Sequence, residues 1–101
     1  IIHSDIKGPF KSLTRNHEKY YITFIDDFTQ YTKVYLLTTK NVAIKAFKDF
    51  KHWIENLSQN TIKEFNSDEG GEYTADEFKK FLAISGIIHH IRTPGDYEHI
   101  A

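Results

Sequence analysis

The chain has 101 residues, 40% of them hydrophobic and 27% charged, with eight Phe, six Tyr and one Trp. That is the length and mix of one globular domain and excludes a disordered segment. A formal charge of -1 excludes a strongly basic nucleic-acid footprint over the whole chain, and the lack of cysteine excludes a disulfide scaffold or a thiolate zinc site.

Ile1 to Ile6 reads as the end of a strand, closed by Gly8-Pro9. The polar stretch Ser12 to Lys19 reads as a loop. Tyr20 to Ile25 is a β-branched and aromatic run, the pattern of a buried strand, and Asp26 to Gln30 turns the chain into a second strand at Tyr31 to Leu37. From Asn41 the period changes. Ala43, Phe47, Phe50, Ile54 and Leu57 form a helical stripe, with Lys45, Lys48, Asp49, His52 and Glu55 largely off it. Ser58-Gln59-Asn60 ends this helix, and Thr61 to Ser67 is a short strand with Ile62 and Phe65 as its apolar members. After Gly70-Gly71, Thr74 and Glu77 have capping-box spacing ahead of Phe78, Phe81 and Leu82, and Gly86 stands where a helix C-terminal glycine belongs. Ile87 to Ile91 is a last strand, and Thr93-Pro94-Gly95 a loop. Three strands followed by helix, strand, helix and strand predict a mixed α/β sheet with helices packed on it. No apolar run reaches the roughly 18 residues of a membrane span. The chain contains no methionine, even at position 1, so it reads as one partial domain, 1–101, cut from something longer.

Asp5 closes the first strand shortly before Gly8, and Asp68 precedes Gly70-Gly71. Carboxylates at strand ends of an α/β sheet are well placed for a site, and hard oxygen ligands suit Mg²⁺. An Asp before a glycine turn is nevertheless more often a turn former, so residue types alone favour the structural reading. Bland readings also suffice for the other groups. Asp68, Glu69 and Glu72 put negative charge near a helix start, and Asp26-Asp27 suits a solvated turn. His89 and His90 alternate faces of a strand and cannot share one site. Lys45, Lys48 and Lys51 suit a solvated helix face, as do Lys79 and Lys80, and Trp53 suits the core or its edge.

Together the segments resemble a known family. His3-Ser4-Asp5-Ile6-Lys7-Gly8-Pro9 resembles the H-[ST]-D-x-x-G-P segment of the integrase catalytic core of copia-type LTR retrotransposons. Tyr21 to Tyr35 is similar to that family's F-I-D-D-[FY]-[ST]-R-[YF]-x-x-V-Y hairpin, and Asn66 to Tyr73 to its R-S-D-N-G-G-E-[FY] segment. Glu77-Phe78, Gly86-Ile87 and Thr93-Pro94 continue the likeness in family order. The resemblance implies a ribonuclease H-like fold: a mixed sheet of about five strands flanked by helices, here lacking its C-terminal helices. It implies DNA 3′-end processing and strand transfer by a Gag-Pol polyprotein product that uses two Mg²⁺ or Mn²⁺ ions. It makes Asp5 and Asp68 the first two catalytic, metal-binding carboxylates. It also implies element ends and target DNA as partners, association as a homodimer, no membrane partner, and nuclear action after a cytoplasmic particle stage.

The chain departs from the family pattern at several positions. Glu69 stands where the family has Asn, and Asn66 and Gln30 replace its usual Arg. After Thr93-Pro94 the family's T-P-x-x-N-G-x-x-E-R is not continued: aligned there, its glutamate falls on Ala101 or beyond, and Glu98 lies too close to Asp68. The third carboxylate is therefore unplaced, and with it the question of whether this chain alone is an enzyme. Two other readings stand beside the integrase fragment. One is a degenerate or domesticated non-catalytic binding module. The other is a stand-alone ribonuclease H-like nuclease using Asp5, Asp68 and Glu69 or Glu98.

Overall fold

Successive side chains of a strand point to opposite faces, so in Tyr20–Asp26 the residues Ile22 and Phe24 are buried while Ile25 is exposed. Five segments behave this way: β1 (Ile2–Lys7), β2 (Tyr20–Asp26), β3 (Thr32–Leu37), β4 (Glu64–Asp68) and β5 (Ile88–Arg92). In this computed structural model, which describes residues 1–11, 15, 17–68, 73 and 75–92, they form one sheet in the order β3-β2-β1-β4-β5. β2 runs antiparallel to both β1 and β3, whereas β4 is parallel to both β1 and β5. Parallel neighbours need a crossover. α1 (Ala43–Ser58), entered through a 3-10 turn at Lys40–Val42, carries the chain from β3 to β4, and α2 (Asp76–Ile84) carries it from β4 to β5. The mixed five-stranded sheet with helices is the architecture expected from the sequence.

Both helices bury aromatic side chains on the same face of the sheet. Phe24 of β2 stacks on Phe50 of α1 at 4.9 Å between ring centroids. Phe65 of β4 meets Phe47 of α1 at 4.8 Å and Phe78 of α2 at 5.7 Å. All five rings are essentially inaccessible to solvent. The opposite face carries Ile25, Val34, Leu36 and Ile88, each exposed.

Local chemistry sets the boundaries. Gly86 adopts φ +72° after α2, its N–H donates to Ala83 (3.1 Å), and the Ile87 N–H donates to Leu82 (2.9 Å). This is the paired arrangement that satisfies the last helix carbonyls. Gly8 is required by geometry. Its φ is +135°, and a Cβ there would lie 2.6 Å from the Lys19 carbonyl oxygen. The chain therefore turns off β1 only because this residue has no side chain.

Three expectations are corrected. The predicted core stripe of α1 ends early, because Leu57 is 50% exposed. A strict seven-residue spacing slips about 20° per heptad on a straight helix, so two heptads after Ala43 the stripe has rotated off the sheet. Ala46 joins the core instead. The capping box does not form as read. α2 starts at Asp76 with Ala75 as its cap and no side-chain hydrogen bond, so Glu77 is one place too early to close the box. Asp76 and Glu77 instead lend charge to the first turn. The strand read from Thr61 begins at Glu64, because the Ile62 N–H is taken by the Glu55 carboxylate at 2.8 Å and not by a neighbouring strand. Glu69 to Glu72, Thr74 and 93–101 lie outside the described residues, and with them Gly70-Gly71, the Thr93-Pro94 loop and Glu98. Among the described residues no helix is long and apolar enough to cross a membrane.

Candidate active site

Asp5 and Asp68 come from neighbouring parallel strands. The β1–β4 ladder pairs Ile2 with Phe65 and His3 with Asn66. Continued one and two residues past this pairing, the same register would bring Ser4 toward Ser67 and Asp5 toward Asp68, and Lys7, which pairs with Asp5, also feels the charge of Asp68. Ile2, Ser4, Phe65 and Ser67 are buried toward the helices, so alternation turns both aspartates to the open face, where each is half-buried. Asp68 ends β4, whereas β1 runs on to Lys7, so Asp5 does not close its strand as expected but lies two residues before its end; both are near the carboxyl ends, where α/β sheets bind ligands. The two residues singled out from the sequence are thus brought to one place.

Sequence reasoning missed two cationic residues here. The Lys7 ammonium lies 3.2 Å from an Asp5 carboxylate oxygen. Its pKa is raised above the ordinary value by that hydrogen bond first, then by the Asp5 charge, with Tyr21 and Asp68 adding to it. Lys7 was legible, because two residues along a strand share a face. Arg92 stands opposite Asp68 in the β4–β5 ladder, a placement set by long-range pairing that no local pattern reveals. The lysine supplies a fit test for a metal. A cation of the chain already sits on Asp5 within the field of Asp68, so the oxygen donors form a place that favours positive charge. Two carboxylates at strand ends suit a hard divalent ion that keeps other ligands from water or phosphate. Among the described residues no group of three His, Cys, Asp or Glu residues converges on a single point.

Behind the aspartates lies a buried polar layer. The Ser4 hydroxyl is hydrogen-bonded to the Tyr73 hydroxyl at 2.9 Å. The Ser67 hydroxyl donates to the Asp68 carbonyl (2.9 Å) and meets His89 Nε2 at 2.7 Å. His89 packs on the Phe65 ring, and burial, followed by the charges of Lys79 and His90, lowers its pKa. It is thus neutral at pH 7.

Comparison with known proteins accords with this arrangement. The integrase core domain family (rve) matches residues 1–96. The chain belongs to that family. It is 35% identical over 99 residues to the retrovirus-related Pol polyprotein from transposon TNT 1-94 of Nicotiana tabacum, covering 98% of this chain and 8% of the relative. It is 36% identical over 99 residues to the Pol polyprotein from transposon RE1 of Arabidopsis thaliana, covering 97% of this chain and 6% of the relative. With the transposon Ty1-NL2 Gag-Pol polyprotein of Saccharomyces cerevisiae the identity is 31% over 97 residues, covering 94% and 6%. The chain therefore spans less than a tenth of the length of these relatives. A solved chain from the simian T-cell lymphotropic virus intasome, in complex with PP2A regulatory subunit B56 gamma, superposes with a TM-score of 0.70. That match, at 23% identity, covers 92% of this chain and 31% of the other, and it is a likeness of fold. The copia-type integrase core and its ribonuclease H-like fold, both expected from the motifs, are borne out.

The remaining polar motifs of this integrase core domain take structural roles. His90 lies on the open face, 2.8 Å from Glu64, while His89 lies on the helix side, so the two do diverge. Asp26 caps its turn by accepting from the Thr29 hydroxyl (2.6 Å) and N–H (3.2 Å). Lys45 and Lys48 are exposed, and Lys51 pairs with Glu55 at 2.9 Å. Trp53 is a core-edge residue against Phe50 and Tyr31. A cleft of about 640 Å³ lies at the other end of the sheet, among Ile1, Asp26, Phe28, Ile54 and Glu64, away from both aspartates.

Proposed function

We propose that this chain carries the first two metal-binding carboxylates, Asp5 and Asp68, of an integrase core. The parent polyprotein product would process retrotransposon DNA ends and join them to target DNA. The observation that supports this reading is the parallel β1–β4 ladder, which pairs Ile2 with Phe65 and His3 with Asn66 and, continued in the same register, would bring the two aspartates level on one face. Asp5 and Asp68 would hold Mg²⁺ or Mn²⁺. Such an ion, when bound, supplies Lewis-acid stabilisation of the charge that develops in phosphoryl transfer. The chain's own residues fix the position of that charge, and Lys7, 58% exposed, can leave Asp5 for a phosphate oxygen of the DNA. Element ends and target DNA are the proposed partners, a homodimer the proposed assembly, and the nucleus, after a cytoplasmic particle stage, the proposed place of action.

The test is titration of the isotope-labelled chain with Mn²⁺, read by paramagnetic broadening of backbone amide signals. The amides of Asp5 and Asp68 should broaden first, and Asp5→Asn should remove the effect. Broadening that is unselective, or that survives Asp5→Asn, sinks the reading. The non-catalytic alternative has one observation in its favour, the Lys7 ammonium already on Asp5. It predicts that the wild-type chain shows no Mn²⁺ response and that Lys7→Ala creates one.

A further inference from the structure

Among the described residues, the buried ones are apolar or aromatic except for Ser4 and Ser67. Each immediately precedes an aspartate, and each lies just beyond the β1–β4 ladder, which pairs Ile2 with Phe65 and His3 with Asn66. A helix-facing strand position filled by alanine or valine would need no hydrogen-bond partner, whereas a buried hydroxyl does. In both places the chain uses serine and supplies that partner from a distant element: Tyr73 for Ser4, and His89 for Ser67. Sixty-nine residues separate the first pair and twenty-two the second, so neither is a by-product of local geometry.

The Ser67 network has a direction. Serine has a single hydroxyl proton, and here it is donated to the carbonyl of Asp68, the last residue of β4. The oxygen must then accept from His89 Nε2–H. An oxygen tied on two sides has one rotamer, and the peptide group after Asp68 has one orientation. That peptide group and the strand set the direction in which the Asp68 carboxylate leaves the backbone. The Ser4 hydroxyl is held by a bond to the hydroxyl of a fully buried tyrosine.

We propose that Ser4 and Ser67, locked from behind by Tyr73 and His89, are positioning residues for Asp5 and Asp68. This rests on the reading that the two aspartates hold a cation. Partners that orient metal ligands from outside commonly change affinity by about 10- to 100-fold when removed.

The experiment has two readouts on the labelled chain. The first needs no metal: three-bond couplings that report the side-chain rotamers of Asp5 and Asp68. The wild type should show one rotamer at each. Tyr73→Phe, which removes a single oxygen, should cause averaging at Asp5, and His89→Leu averaging at Asp68. His89→Gln, which keeps an N–H donor, should restore Asp68. The second readout is Mn²⁺ affinity, expected to fall about tenfold in Tyr73→Phe and His89→Leu and to recover in His89→Gln. Folded variants with wild-type couplings and unchanged affinity overturn the proposal. If His89→Leu does not fold, Tyr73→Phe decides alone. If the wild type binds no Mn²⁺, the proposed function fails, and the metal-free couplings still decide this inference.

Discussion

Replacing Phe47 by alanine separates what the helix pattern implies from what packing delivers. Phe47 is fully buried, with the rings of Phe24, Phe65, Phe78 and Phe81 at 4.8 to 5.9 Å. Truncating a phenylalanine in such a core costs about 3–5 kcal/mol, through lost transfer energy and the cavity left behind. Four aromatic neighbours keep this site clear of the lower end, at about 4 kcal/mol. A domain of this size has about 5–15 kcal/mol in all, so the loss is a large share. At roughly 4–8 °C per kcal/mol, Tm should fall by about 16–32 °C. Leu57, on the same sequence stripe but half exposed, is the internal control, and Leu57→Ala should cost less than about 0.5 kcal/mol. Urea unfolding followed through Trp53, the one tryptophan, measures both, with an unchanged m-value as the check that the denatured state is the same. A loss under about 1.5 kcal/mol for Phe47→Ala, or equal losses for the two variants, would refute the packing argument.

Two further outcomes are expected. Gly8→Ala should destabilise the fold by about 2–3 kcal/mol, because alanine is strained at φ +135° and its Cβ would press on the Lys19 carbonyl; an unchanged urea midpoint would contradict this. His89 has a folded pKa below its ordinary 6.5, so as pH falls the unfolded chain takes up the proton first. The stability His89 allows is therefore present above about pH 6.5 and lost as pH falls below it. Between pH 7 and 5 the wild type should lose more stability than His89→Gln, and parallel curves for the two proteins would remove the effect.

Much of the fold was legible because its signals are local. Ile22 and Phe24 announce a strand by alternation, Phe47, Phe50 and Ile54 a helix by spacing, and Gly86 the end of another. Errors arose where the deciding contact is distant. Leu57 fits the sequence stripe but has rotated off the sheet, and Thr61 to Lys63 fit a strand but the Ile62 N–H is held by Glu55. The site divides in the same way. Asp5 and Asp68 stood out through motif resemblance, since as isolated Asp-before-glycine positions they read as turn formers. Lys7 was within reach of the two-residue period. Tyr73, His89 and Arg92 were not, because only the order β1-β4-β5 brings them near.

That strand order also explains why Ser-Asp recurs on both strands. β1 and β4 are parallel, and the register that pairs His3 with Asn66, continued by one residue, would bring a serine on the helix face of one toward a serine on the helix face of the other. The following residue on each strand must then emerge on the open face at the same height. A pair of antiparallel strands would place one such aspartate at the top of the sheet and the other at the bottom. The hairpin β1–β2 is antiparallel, and in it Asp5 faces Thr23, whose hydroxyl contacts the Asp5 backbone carbonyl at 3.5 Å. In this chain that neighbouring position on β2 is a threonine, and the second carboxylate comes from the parallel neighbour β4, reached after the long α1 crossover. The distance in sequence between Asp5 and Asp68 is therefore a consequence of the topology that lets them meet.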